Sequence, residues 1–339
     1  MQHLDRIPAT PPRIAPLPTG IDRPLWSVMI PVYNCYGYIE RTLRSVLDQD
    51  AGPEQMQIEI IDDASTDGDI EAMVHCLGKG RVQYFRQPVN RGSLRNFESC
   101  INRAKGYRVH ILHGDDMVKP GFYQEIEALF KAHPEAGAAF TRNDYIDERD
   151  RHLHSKPNIQ ENKGIIENWL FKIASANLLQ PPAIVVKRSV YEHLGGFFAV
   201  HYGEDWEMWA RIAAHYPVAY SPESLALYRK HNENITANAY KTGQCIRDIE
   251  KVISIIQGYV PDQDKQITQR NAKRVFSQFF GGIAQSHYYS DREAFFNLAY
   301  QNFLFDKRLE TLVSFGRIAT RHAWEQAKSS AKKLLLPGN

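Results

Sequence analysis

Four cysteines in 339 residues, Cys35, Cys76, Cys100 and Cys245, are widely spaced and form no CxxC pair. That spacing fits reduced, semi-buried residues of a cytosolic protein. Charge of one sign is also missing: a formal charge of +2 gives no basic field for nucleic acid. No apolar run approaches the ~18 residues of a membrane span. Residues 1–24 hold six prolines and no apolar core of the kind a secretory signal needs. The expected location is therefore the cytoplasm, or the inner face of a membrane. No GxGxxG follows the first apolar run, which disfavours dinucleotide redox chemistry. The stretch Tyr33 to Tyr38 is not a glycine-rich basic phosphate loop of the kind a nucleotidyltransferase needs. Internal repeats and low-complexity segments are absent too.

What is present is a globular composition, 43% apolar and 24% charged, long enough for two domains or one α/β domain with an extension. Prolines at 8, 11, 12, 16, 18 and 24 predict an extended, mobile arm over 1–24. Strands are expected at Ser27–Val32, Gln57–Ile61, Val82–Phe85, Val109–Leu112, Ala138–Thr141 and Ala183–Val186. Between them run helical stripes such as Ile39, Leu43, Val46 and Leu94, Phe97, Ile101. This alternation predicts an α/β fold, a mainly parallel Rossmann-like sheet with helices on both faces. From about 237 only helical spacing remains, in Ile246, Ile249, Val252, Ile253 and Ile256 and again in Val275, Phe279 and Ile283. The expected domains are the arm 1–24, a catalytic domain 25–236 and a helical C-terminal extension 237–339. The catalytic domain divides into a nucleotide-binding half, 25–117, and an acceptor half, 118–236.

Ligands of such sheets sit beyond the carboxyl ends of the strands, and polar residues cluster there. Tyr33 and Asn34 follow the first strand, Asp62 and Asp63 the second, Asn90 to Gly92 the third, and Asp115 and Asp116 the fourth. Adjacent aspartates repel and lose solvation when buried together, so a divalent cation is one reason to pair them. A solvated turn is the other.

Six words occur in order between residues 26 and 236. They are Ser27-Val28-Met29-Ile30-Pro31-Val32-Tyr33-Asn34, Ile61-Asp62-Asp63-Ala64-Ser65-Thr66-Asp67-Gly68, Asn90-Arg91-Gly92 with Asn96, Ala104-Lys105-Gly106, His113-Gly114-Asp115-Asp116 and Glu204-Asp205. In these words the chain resembles the family 2 inverting glycosyltransferases of the GT-A fold. The resemblance implies a nucleoside-diphosphate sugar donor, UDP foremost, bound by Pro31, Tyr33, Asp62, Asp63, Asn90, Gly92, Asn96, Asp115 and Arg229. Asp63 would accept from a ring N–H of the base, which suits an ionised carboxylate. Asp115 and Asp116, with His231, would hold Mn²⁺ or Mg²⁺ against the diphosphate in a DxD-type site. His113 stands where many members carry Asp, which leaves the ligand set open, and reads as a buried or outer residue rather than a ligand.

By the same resemblance Asp205 is the catalytic base and Glu204 orients the acceptor, a hydroxyl of a glycan or glycolipid. A carboxylate at a helix start favours its ionised form, as a base requires. Arg229 and His231 resemble the late basic motif that approaches the diphosphate. Trp206 is a candidate for stacking on a sugar, and Trp209, on the apolar stripe, belongs to the core. Arg317, Arg321, Lys328, Lys332 and Lys333 with Leu334 to Leu336 suit peripheral membrane association or a solvated helix face. The competing reading is a non-catalytic nucleotide- or glycan-binding module on the same fold. A glycosidase could use paired carboxylates, but needs neither a metal pair nor a base-binding aspartate.

Overall fold

The structure, a computed structural model, describes residues 6–231 and 235–335. The chain separates into two compact units. One takes in the chain through Ile173 together with Asn177–His231, and the other Ala174–Ala176 and the chain after His231.

The first unit is built on ten strands: β1 (Trp26–Val32), β2 (Met56–Asp62), β3 (Gln83–Arg86), β4 (Arg108–Ile111), β5 (Met117–Val118), β6 (Ala138–Ile146), β7 (His152–Ser155), β8 (Gly164–Ile165), β9 (Ile184–Lys187) and β10 (Val218–Arg229). Their order is β3-β2-β1-β4-β9-β6-β10-β5, with β7 on β6 and β8 on β10. Helices α1 (Tyr36–Leu47), α2 (Ile70–Gly78), α3 (Ser93–Arg103), α4 (Phe122–Ala132), α5 (Trp169–Ser175), α6 (Arg188–Leu194) and α7 (Glu204–His215) lie between them in sequence. Every residue of β1 and β2 is buried, the signature of strands covered on both faces. Ile39, Leu43 and Val46 of α1 and Leu94, Phe97 and Ile101 of α3 are buried as their spacing predicts. Gly106 is required where the chain enters β4, because a Cβ there would meet the Trp26 carbonyl carbon at 2.5 Å. Its N–H donates to Ser27 Oγ at 2.7 Å.

The sheet is parallel over β3, β2, β1 and β4, as the alternating pattern requires. Beyond β4 it becomes mixed, since β9 runs antiparallel to both β4 and β6. The long strand β10, parallel to β6, has no counterpart in the sequence expectation. Pro222 interrupts its pattern, and the register shifts between Ser221 and Ser224 and again before Ala226. A proline is tolerated at such a bulge, so the strand resumes and delivers Arg229 to the site.

The arm departs from expectation over residues 6–24. Ile14 is 1% exposed, Gly196 N donates to Pro12 O at 2.8 Å, and Ala199 N donates to Pro8 O at 2.9 Å. Arg188 Nη2 reaches Ala15 O at 2.9 Å. Prolines forbid helix but keep their carbonyls, and an extended strip of carbonyls is what the 195–199 turn and Arg188 require. Residues 1–5 lie outside the described residues.

The second unit is helical: α8 (Ile235–Thr242), α9 (Gln244–Ile256), α10 (Asp262–Ser286), α11 (Arg292–Phe305) and α12 (Leu309–Leu335). The stripe Ile246, Ile249, Val252, Ile253, Ile256 is buried as its spacing predicts. The stripe read in α10 is displaced by one residue: Val275 and Phe279 are exposed, while Ala272, Phe276, Phe280 and Ala284 are buried. Alanines and Thr268 carry part of that face, and they weigh little in an apolar count. Among the described residues no helix is long and apolar enough to cross a membrane. Arg317, Arg321 and Lys328 fall on α12, whereas Leu336 lies outside the described residues.

Candidate active site

The turn after β4 is folded against the end of β1. Gly114 N donates to Pro31 O at 3.1 Å, and Thr42 Oγ1 of α1 donates to Gly114 O at 3.0 Å. A Cβ at position 114 would stand 2.9 Å from Val32 Cγ2, so glycine permits this approach. The tight contact orients the next two residues.

His113, Asp115 and Asp116 bring one ligand atom each within 4.8 Å of one another. Asp116 is 1% exposed; its Oδ1 accepts from Arg229 N at 2.9 Å, while its Oδ2 is buried with no hydrogen-bond partner. His113 Nδ1 stands 3.9 Å from that oxygen, and its ring stacks on Phe97 at 5.2 Å. Burial and the neighbouring Asp115 charge drive the Asp116 carboxyl well above the usual range, against hydrogen bonding and charge from Arg229. Burial pushes Asp115 upward too, but the His231 hydrogen bond and the charges of His113 and His231 bring it below its usual value. Burial lowers His113, Asp115 opposing. A buried carboxylate oxygen without a proton donor, beside an imidazole and a second carboxylate, is a donor set that a hard divalent cation satisfies. The residues therefore fit the implied Mn²⁺ or Mg²⁺.

His231, expected as a ligand, stands behind Asp115: its Nε2 donates to Asp115 Oδ2 at 2.8 Å. Arg229, expected near the diphosphate, is 1% exposed and braces the turn instead. Its Nε donates to Asp115 O at 2.7 Å, its Nη1 to Asp147 O at 2.8 Å, and it pairs with Asp150 at 2.5 Å.

The other donor-site candidates gather at the ends of β1 to β3. Asp63 accepts from Arg91 N at 2.7 Å and Gly92 N at 2.8 Å, and its own N donates to Val32 O at 2.8 Å. Ala64 follows at φ 63°, a strained turn held by Asp62, whose Oδ1 takes both Ser65 N and Ser65 Oγ. Asp62 also accepts from Tyr84 Oη at 2.7 Å and pairs with Arg86, so its carboxylate is engaged by the turn and by β3 together. Asn96 Nδ2 donates to Ile61 O at 2.8 Å, and Asn90 Nδ2 to Asp63 O at 3.2 Å. Pro31 is buried and Tyr33 is half exposed beside them.

On the opposite side, Gly203 takes φ 93° and opens α7, which places Glu204 and Asp205 in its first turn. Asp205 Oδ1 accepts from Trp206 N at 2.7 Å, and Oδ2 from Asn177 Nδ2 at the long distance of 3.4 Å. Burial raises the Asp205 carboxyl above its usual range, those two bonds and Lys156 pulling the other way. One cleft is lined by His113 and Phe97 together with Glu204, Asp205 and Trp209. Trp206 does not face it: the ring is wholly buried and Nε1 donates to Ile173 O at 2.6 Å, so it cannot stack on a sugar.

With this geometry, residues 27–195 match the family described as Glycosyl transferase family 2. The chain belongs to that family.

This glycosyltransferase is 27% identical, over 68% of its length, to an uncharacterized protein of Mycobacterium tuberculosis (strain CDC 1551 / Oshkosh), and spans 75% of that protein. It spans only 31% of a longer uncharacterized glycosyltransferase of Rickettsia bellii. S. aureus TarS 1–349 in complex with UDP-GlcNAc superposes with a TM-score of 0.60 at 14% identity, over 88% of this chain and 80% of that one. The mannosyltransferase PcManGT of Pyrobaculum calidifontis, in complex with GDP-Man and Mn²⁺, gives 0.54 at 21% identity, over 97% and 85%. The glycosyltransferase has the GT-A fold, a central sheet flanked by helices.

Two residues near the site of this glycosyltransferase carry no motif signal. Arg6, on the arm, donates to Asn90 Oδ1 and lies 3.0 Å from where a Gly92 Cβ would stand, beside Asp63. An arm read as mobile offers no reason to look there. Asn177 reaches Asp205 from the stretch between α5 and Gln180, which carries none of the six words.

Proposed function

We propose that this glycosyltransferase is metal-dependent and inverting, and moves a sugar from a nucleoside-diphosphate sugar, UDP foremost, to a hydroxyl of a glycan or lipid-linked saccharide. The observation that carries the reading is the shared cleft, whose lining includes His113 of the acidic cluster together with Glu204 and Asp205. One wall is suited to the leaving group and the other to the attacking one.

Asp115 and Asp116, with His113 completing the set and His231 fixing Asp115, would hold Mn²⁺ or Mg²⁺. When bound, that ion supplies neutralisation of the leaving diphosphate. Asp63, anchored through Arg91 and Gly92, retains a second lone pair on each oxygen for a base N–H. Arg229 holds the Asp115-Asp116 turn in register. Asp205 takes the proton of the acceptor hydroxyl as its oxygen bonds to the anomeric carbon. The bond from that carbon to the diphosphate oxygen breaks on the opposite face, and the electron pair leaves with the diphosphate. Glu204 orients the acceptor. The neighbours in complex with UDP-GlcNAc and with GDP-Man and Mn²⁺ support a nucleotide-sugar donor and a divalent ion. The basic residues of α12 suit peripheral contact with an anionic membrane, a location consistent with a lipid-linked acceptor.

Incubation of the full chain with a panel of nucleotide sugars, with Mn²⁺, Mg²⁺ or EDTA, tests this reading by the nucleoside diphosphate released. Metal-dependent release from one donor is expected. Donor binding without release under every condition would favour the non-catalytic module.

A further inference from the structure

The arm is fastened along its length, and its leading described residue reaches the donor side of the site. Ile14 is buried, Arg188 Nη2 donates to Ala15 O at 2.9 Å, and Gly196 N and Ala199 N donate to Pro12 O and Pro8 O at 2.8 and 2.9 Å. Just before that last anchor stands Arg6, whose side chain docking does not require, since Ile14 and the carbonyls already hold the arm. Arg6 Nη2 donates to Asn90 Oδ1, and Arg6 Nε lies 3.0 Å from where a Gly92 Cβ would stand. A glycine at 92 leaves room for the guanidinium against the turn.

That turn is what places Asp63. Asn90 is held at both ends of its amide, because its Nδ2 donates to Asp63 O at 3.2 Å. Arg91 N and Gly92 N each donate to one oxygen of the Asp63 carboxylate, at 2.7 and 2.8 Å. Charge adds to the bonds: burial raises the Asp63 carboxyl above its usual range and Asp62 adds to the rise, while the two backbone donors and the Arg6 guanidinium oppose it. Asn90 Oδ1 is a neutral acceptor, so it leaves the charge of Arg6 uncancelled. A binding carboxylate works only when its neighbours hold it within about 0.5 Å of the productive place. Uracil and guanine present a ring N–H beside a carbonyl, whereas cytosine and adenine present a bare ring nitrogen there. An ionised carboxylate accepts from the N–H and is repelled by the lone pair.

We propose that Arg6 is a positioning residue of the donor-base site: by gripping the Asn90–Gly92 turn it fixes Asp63 as the acceptor that selects a base carrying a ring N–H. This rests on reading Asp63 as the contact to the base, so a variant of each residue is needed to tell the two apart.

The full chain with Mn²⁺ is titrated calorimetrically with UDP, GDP, CDP and ADP, which differ only in the base. UDP or GDP is expected to bind about tenfold or more tighter than CDP and ADP, as a hydrogen bond to a charged group allows. Which of the two does so identifies the base. Arg6→Met loses most of that preference by weakening the favoured nucleotide while CDP binds as before, and Arg6→Lys, which keeps the cation, retains it. Asp63→Asn abolishes it. Thermal midpoints report the folding of each variant. A preference that survives in Arg6→Met, or a loss shared equally by all four nucleotides, would overturn the role of Arg6 and leave Asp63 in place. No preference in the wild type, or one that survives in Asp63→Asn, would overturn the reading of Asp63 and the role of Arg6 with it.

Discussion

His231 Nε2 lies 2.8 Å from Asp115 Oδ2, a contact that joins the second residue after β10 to the turn after β4 across 116 positions of sequence. Together with Arg229, whose backbone and guanidinium hold Asp116 and Asp115, it makes the end of β10 the support on which the acidic pair rests. The pair is placed by a strand that pairs with neither β1 nor β4.

Removing that support weakens the ion site without touching the carboxylates. His231→Ala takes away the donor that orients Asp115, and loss of such an outer partner typically costs about 10- to 100-fold in metal affinity. Calorimetric titration of Mn²⁺ into the UDP complex of wild type and variant measures it. An unchanged affinity would mean that Asp115 is oriented by Arg229 alone.

With Asp205 as the proposed base, the acid limb of activity is set by its carboxyl. Burial raises its carboxyl, and a base works only when ionised, so turnover rises with pH through the raised value and is flat above it. The limb should lie above the ~3.9 of a free aspartate. Lys156 favours the charged form, so Lys156→Met moves the limb to still higher pH. A kcat profile between pH 4 and pH 9, approximate limits set by the same reference values, reads both. A limb that moves down in the variant would contradict the assignment.

Docking of the arm predicts a stability effect. Ile14 is 1% exposed, and truncating a buried isoleucine to alanine costs about 2–5 kcal/mol. Urea unfolding of Ile14→Ala should show a lowered midpoint. A midpoint equal to wild type would mean the arm contributes nothing to the folded state.

Much of the site was legible because it stands at strand ends. An apolar run followed by Tyr33-Asn34, Asp62-Asp63 or Asp115-Asp116 needs only period and position to be placed at one edge of a sheet. Three features were not legible, each for a physical reason. β10 hides behind Pro222 and two register shifts, which a pattern of period two cannot follow. The prolines of the arm signal extension, but not whether their carbonyls find donors, and Gly196, Ala199 and Arg188 supply them. The buried face of α10 carries alanines and a threonine, so the larger Val275 and Phe279 drew attention to the exposed side. Trp206 and Trp209 show the same limit at the site, since helical spacing placed Trp209 on the inward face but could not say that Trp206 also points inward.

The central claim divides labour between Asp115-Asp116 on the leaving group and Asp205 on the attacking one, and Asp205→Asn tests it most directly. UDP binding in the presence of Mn²⁺ and sugar transfer are measured on the same preparation. The account predicts wild-type UDP affinity with transfer reduced by about 10²- to 10⁴-fold, the usual contribution of a positioned base. Transfer at the wild-type rate, or loss of UDP affinity along with transfer, would contradict it.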